Sequence, residues 1–152
     1  MQQISRSAAV FIGAALADFH KPLKPIVQRP AKRHSPAMTR ALVNQHAATL
    51  PGAVHSDPWG GGHDAWKVGG KLFCVVGASD DHGVDVKCQD VETARLLIDM
   101  DRARKAPYFH ASWVRIPFGL VADDEVKDRL NRSYDVIRAT LTRKAQGALA
   151  PR

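Results

Sequence analysis

The chain has 152 residues, of which 45% are hydrophobic and 24% charged, and a net charge of +7. That length buries a sizeable core in one domain, and the composition is that of an ordinary globular chain, not a disordered or collagen-like one. The charge does not by itself point to nucleic acid. Residues 1–37 carry Arg6, Lys21, Lys24, Arg29, Lys32 and Arg33 against Asp18, which is +5 of the +7 and leaves +2 for residues 38–152.

The N-terminal stretch has two parts. "AAVFIGAALA" (8–17) has a signal-like outline but is too short to span a membrane. "HKPLKPIVQRPAKRHSP" (20–36) holds four prolines among basic residues and reads as an extended tether. Export, a flexible basic arm with non-specific nucleic-acid affinity, and a start set upstream of Met38 all compete. Asp18, the basic run after it and the cysteine spacing count against export. We therefore expect an arm or a mis-set start over 1–36, a folded domain over 37–152, no membrane segment and a cytoplasmic location.

Ser35-Pro36 forms a cap and first-turn pair for a helix over "AMTRALVNQHAATL", with Met38, Leu42 and Gln45/His46 as its apolar stripe, ended by Pro51-Gly52. A glycine-rich loop, "DPWGGGHD" (57–64), follows. Ala65–Val68 and Lys71–Val76 then flank Gly69-Gly70 as the strands of a tight hairpin, because primed turns need positive φ. "SDDHG" (79–83) is expected as the next turn and Val84–Cys88 as a third strand, with Val84, Val86 and Cys88 on one side and Asp85 and Lys87 on the other. Asp90 caps a helix over Val91 to Asp99. Strands over Ala106–Phe109 and Ser112–Ile116 meet around His110. Asp123 caps a final helix to about Lys144, with Val126, Leu130, Tyr134, Ile137 and Leu141 as its buried stripe. The order α-β-β-β-α-β-β-α predicts a two-layer α+β domain: an antiparallel sheet of about five strands with helices on one face.

Catalytic chemistry finds little support. Gly60-Gly61-Gly62 precedes a strand, not a helix, and Gly70-Lys71 is followed by Leu72, so neither a dinucleotide loop nor a P-loop is present. His55, His63, His82 and His110 are expected in loops and solvated, with no local pair of zinc-ligand spacing. Cys74 and Cys88 lie in strand-like runs, 14 residues apart, and read as buried free thiols. Ser56, Ser79, Ser112 and Ser133 have no nucleophile-elbow context, while Asp80-Asp81 and Asp123-Asp124 read as turn and cap chemistry. The chain is thus expected to be no enzyme, with no catalytic residues, no metal and no cofactor.

One face stands out. If Trp66, Val68, Val84, Val86, Val114 and Ile116 point to the helices, Lys67, Lys87, Trp113 and Arg115 share the other side of the sheet. Cations interleaved with an aromatic suit phosphate neutralisation with base or sugar contact, although a solvated sheet face uses the same residues. Lys71, beside the hairpin turn, joins them as a candidate ligand contact.

"SDPWG" (56–60), "WKVGGKLF" (66–73), "VDVKC" (84–88), "APYFHASWVRI" (106–116) and "LNRSYDVI" (130–137) resemble the MmcQ/YjbR family, in order and at its usual spacing, over roughly residues 38–144. The matching positions are Pro58, Trp59, Gly60, Lys67, Gly70, Lys71, Lys87, Pro107, Tyr108, Trp113 and Tyr134. The resemblance implies a small two-layer domain similar to frataxin-like and secretion-chaperone-like folds. It also implies DNA binding, a label that rests on likeness to a double-wing domain and hence on fold analogy. This chain departs from many members in the turn before Trp113, where Phe-His-Ala-Ser stands in place of a turn with a lysine. Trp59 is expected to plug a core edge. DNA is therefore the leading partner, bound through Lys67, Lys71, Lys87, Trp113 and Arg115. The alternative is a protein-interaction or chaperone-like module that uses the sheet or the long C-terminal helix.

Overall fold

The computed structural model of the protein describes residues 38–78 and 80–152; the arm and the Ser35-Pro36 cap lie outside the described residues. In chain order the elements are α1 (Arg40–Ala48), β1 (Ala53–Ser56), β2 (Asp64–Val68), β3 (Lys71–Gly77), β4 (Asp80–Lys87), α2 (Val91–Asp99), β5 (Arg104–Lys105), β6 (Trp113–Pro117), α3 (Asp123–Ala139) and α4 (Arg143–Gly147). The strands form one antiparallel sheet in the order β1-β2-β3-β4-β6-β5. The fold is the expected α+β class, with six strands where about five were expected.

Cross-strand register sets the two faces, since paired residues share a side and alternate residues do too. One row runs His55, Trp66, Cys74, Val86, Val114. With Val68, Phe73, Val76, Val84 and Ile116 it packs against Val43 and Ala47 of α1, Leu97 of α2 and Val126, Leu130, Tyr134 and Ile137 of α3. The predicted α3 stripe is buried throughout, though Leu141 lies past the helix end at Thr140. Phe73 meets Tyr134 edge-on at 5.5 Å, and the tyrosine hydroxyl donates to the Pro51 carbonyl at 2.6 Å. Roughly 25 cal/mol per Å² of apolar burial makes this layer the main source of stability.

Several boundaries differ from expectation. Ala53–Ser56 is an edge strand and not loop, paired to β2 over four residues. Residues 80–83 belong to β4 and not to a turn, and His55 and His82 are strand residues, not loop residues. The short strand before the 106–112 loop is Arg104–Lys105, because Pro107 cannot donate to a ladder. Thr39, whose hydroxyl accepts from Leu42 N, caps α1; its buried positions are Val43 and Ala47, not Leu42 and Gln45. Ala122 is the N-cap of α3 without a side-chain bond, and Asp123 instead accepts from Met38 N at 2.7 Å. The helix stops at Ala139, and Thr142 caps the separate one-turn α4.

Candidate nucleic-acid interface

The face turned away from the helices carries Lys67, Ala65, Val75, Asp85, Lys87, Trp113, Arg115 and Arg104, by register from β2 across to β5. Four of the five predicted site residues therefore share it. Lys71 does not: it pairs with Val68, on the helix side, and its ammonium bonds the carbonyl and hydroxyl of Thr140 at 3.2 and 3.1 Å, closing the end of α3.

The four differ in what their side chains already do. Arg115 donates Nε and Nη2 to the two carboxylate oxygens of Asp85, 2.8 and 2.9 Å, in a bidentate cross-strand pair. Asp85 is only 2% exposed, so this arginine is committed to holding a buried charge. Trp113 is buried and stacks on Phe109 with ring centres 4.6 Å apart. Its role is to anchor the 106–112 loop on the sheet. Lys87 Nζ donates to Ser112 Oγ at the margin of the face. Lys67 is half-buried and makes no hydrogen bond or ion pair with the described residues.

The 106–112 loop adds groups that spacing alone did not single out. Tyr108 has φ 65°, a left-handed conformation that costs a non-glycine residue about 1–2 kcal/mol, and its ring is fully exposed. His110 is exposed, and its Nδ1 accepts from Ser112 N at 3.2 Å, which leaves the ring proton on Nε2. Ser112 Oγ then donates to that nitrogen at 2.8 Å while accepting from Lys87. A lysine, a serine and a histidine in contact resemble an activated nucleophile. Ser112 is only 2% exposed, so a substrate carbonyl has no approach to Oγ, and the trio serves to brace the loop.

A second polar cluster lies at the opposite margin. Asp64 accepts from Arg40 Nε, Asn44 Nδ2 at 2.7 Å and His55 Nε2 at 2.6 Å, and Asn44 accepts from the Trp66 indole at 2.8 Å. Burial pushes the Asp64 carboxyl up, but the bonds from Asn44, His55 and Arg40 outweigh it and hold it below the usual range. No hydroxyl or thiol bonds His55 among the described residues, so this carboxylate orients a histidine with no nucleophile to serve. In the neighbouring loop Trp59 is 55% exposed and sits edge-on to His63, so it does not plug the core. Burial pushes the Cys74 thiol far up and Cys88 up as well, which removes both as nucleophiles at neutral pH. Among the described residues no group of three His, Cys, Asp or Glu side chains could hold a metal, and no helix is long and apolar enough to cross a membrane.

Comparison with known proteins agrees with this architecture. The chain is similar in fold to the crystal structure of Deinococcus radiodurans protein DR2400, which carries the domain DUF419, with a TM-score of 0.65 over 70% of this chain and 84% of that one at 15% identity. Among curated proteins, none matches in sequence. The YjbR family model matches residues 48–136, from the end of α1 to within α3, which is more than half of the chain and spans the whole sheet. With its motifs, fold and sheet all in that register, the chain belongs to the YjbR family.

Proposed function

We propose that this chain is a non-enzymatic, cytoplasmic nucleic-acid-binding domain, with DNA as its partner, and that it binds through the lysines of the sheet face turned away from the helices and through the 106–112 loop at that face's β6 margin. The observation that carries this reading is Tyr108, an exposed ring on a strained residue, beside the Phe109–Trp113 stack and in a segment that also holds Arg104, Lys105 and His110. Exposed aromatics offer a stacking surface to any base, and nearby cations neutralise the backbone. Lys67 and Lys87 supply charge on the sheet, while Trp113 holds the loop. Lys71 and Arg115 contribute less, because Thr140 and Asp85 already engage them. Two free cysteines suit a reducing compartment.

A protein-interaction role is the second reading. It is favoured by Leu96 and Met100, both more than half exposed and one turn apart at the end of α2. Fluorescence anisotropy with a labelled duplex and a labelled single strand separates the two. Tyr108→Ala should weaken binding by about fivefold or more, the scale of one stacked base, and Lys67→Glu with Lys87→Glu should abolish it. Lys127→Glu and Arg138→Glu, on α3, should leave it unchanged. Loss of affinity from the α3 changes alone would favour the helix and sink the sheet.

A further inference from the structure

Between the end of β4, the start of α2 and the middle of α3 lies a cleft of about 200 Å³, with Cys88, Gln89, Thr93, Arg129, Arg132 and Val136 among its walls. Arg129 is the unusual member. Its Nε is buried and is the one such side-chain nitrogen or oxygen among the described residues with no hydrogen-bond partner. Its Nη2 forms an ion pair with Glu125 at 3.6 Å, long for a hydrogen bond, and that carboxylate also accepts from Nε and Nη2 of Arg102. A buried guanidinium N–H without an acceptor is costly, and the planar fork matches a carboxylate or phosphate.

The rest of the cleft has the same sign. Arg132 also lines it, and the carboxylate in its wall, Asp135, is held by Arg152 at 2.6 Å. Arg132 keeps Asp128 at 2.7 Å but is largely exposed. Val86, Val136 and Cys88 make an apolar and polarisable side. The positive charges of Arg129 and Lys87 reach the Cys88 sulfur, where they oppose the upward push of burial.

We infer that this cleft is a binding site for a small oxyanion-bearing molecule, a phosphate or carboxylate compound held by the Arg129 fork, and separate from the nucleic-acid surface. A free metabolite and a backbone phosphate share this chemistry, but the cleft is walled by α2 and α3, behind the sheet face, and its volume fits a small molecule. Calorimetry of the full chain with orthophosphate, at ionic strength fixed by chloride, tests it. One saturable site is expected; Arg129→Gln should weaken it about tenfold or more, and Arg129→Lys less, since a point charge lacks the fork. Val136→Phe fills the cleft without altering a charge, so it keeps the test standing if Arg129→Gln does not fold. Absence of saturable binding, or unchanged affinity in both variants, would overturn the inference. Displacement of phosphate by duplex DNA would overturn it too, by making the cleft part of the nucleic-acid surface. Retained duplex binding in Arg129→Gln is expected, so the two proposals fail separately.

Discussion

Ser133 joins the two layers at a single hydroxyl. From α3 it accepts the Lys87 N–H at 2.8 Å and donates to the Phe73 carbonyl, at the bulge where β3 departs from regular pairing with β2. Ser133→Ala leaves a buried N–H without its acceptor, so a loss of about 1–3 kcal/mol is expected in urea unfolding. A loss below about 0.5 kcal/mol, the level of an ordinary surface change, would contradict that role. Tyr108 makes the opposite prediction. Tyr108→Gly relieves the left-handed strain, which offsets the unfolded-state entropy that a glycine adds against folding, so stability should hold or rise by up to about 1 kcal/mol. Duplex affinity should fall in the same variant; a stable variant with undiminished affinity would make the strain incidental. Asp85→Ala strips the Arg115 guanidinium of its carboxylate and should cost about 2–3 kcal/mol, toward the low end for a buried pair since the arginine is partly exposed.

Carboxylates hold neighbouring elements together. Asp64 ties α1 to β1 and β2, and Glu125 at the start of α3 ties to Arg102 after α2. The hydrogen bond and charge of Arg102 hold the Glu125 carboxyl below its usual range, as Asp64 is held below its own. A carboxyl depressed in the folded state stabilises fully above its unfolded pKa and loses that as pH falls through the folded one. Urea midpoints should therefore hold level through neutral pH with respect to these groups and decline below about pH 4, where unfolded carboxyls begin to protonate first. Asp64→Asn should flatten part of that decline; an identical acid limb in the variant would contradict it. Gly83 tests the β4–β6 pairing, because a Cβ there would stand 2.6 Å from the Ile116 carbonyl oxygen. Gly83→Ala should lower stability more than Gly70→Ala, where a Cβ meets nothing within 4 Å and only the positive φ resists.

The elements legible in the sequence were those with a long period or a strong stop. The α3 stripe, the Asp90 cap and the Gly69-Gly70 turn each follow from spacing or from a backbone that only glycine adopts readily. β1 escaped because Ala53–Ser56 is four residues after Pro51-Gly52, too short for a period, and it is held by pairing with β2 alone. Two-residue β5 and one-turn α4 escaped for the same reason. The alternation of Lys87, Trp113 and Arg115 correctly put these residues on the face turned away from the helices. Alternation reports direction but not partners, so the engagement of Arg115 by Asp85, of Lys71 by Thr140 and of Lys87 by Ser112 lay beyond it. Nor does spacing reveal that Tyr108 is exposed in a left-handed conformation, since Pro107-Tyr108 reads equally well as a strand start.

At the scale of the molecule, helices cover one side of the sheet, the other side carries buried Ala65, Val75, Asp85 and Trp113 among its charged residues, and charge is spread unevenly along the chain. Residues 38–152 carry +2 of the +7, so the proposed binding of nucleic acid by this domain would rest on local geometry more than on net charge. The measurement that tests this most directly is the salt dependence of duplex affinity, for the full chain and for a chain starting at Met38. Affinity should fall linearly in logarithmic salt with a slope of about −0.9 per phosphate neutralised. The shorter chain should keep a reduced but finite slope that Lys67→Glu with Lys87→Glu removes. A chain from Met38, shown to be folded, with no salt-sensitive binding to any duplex or single strand would contradict nucleic-acid binding by this domain.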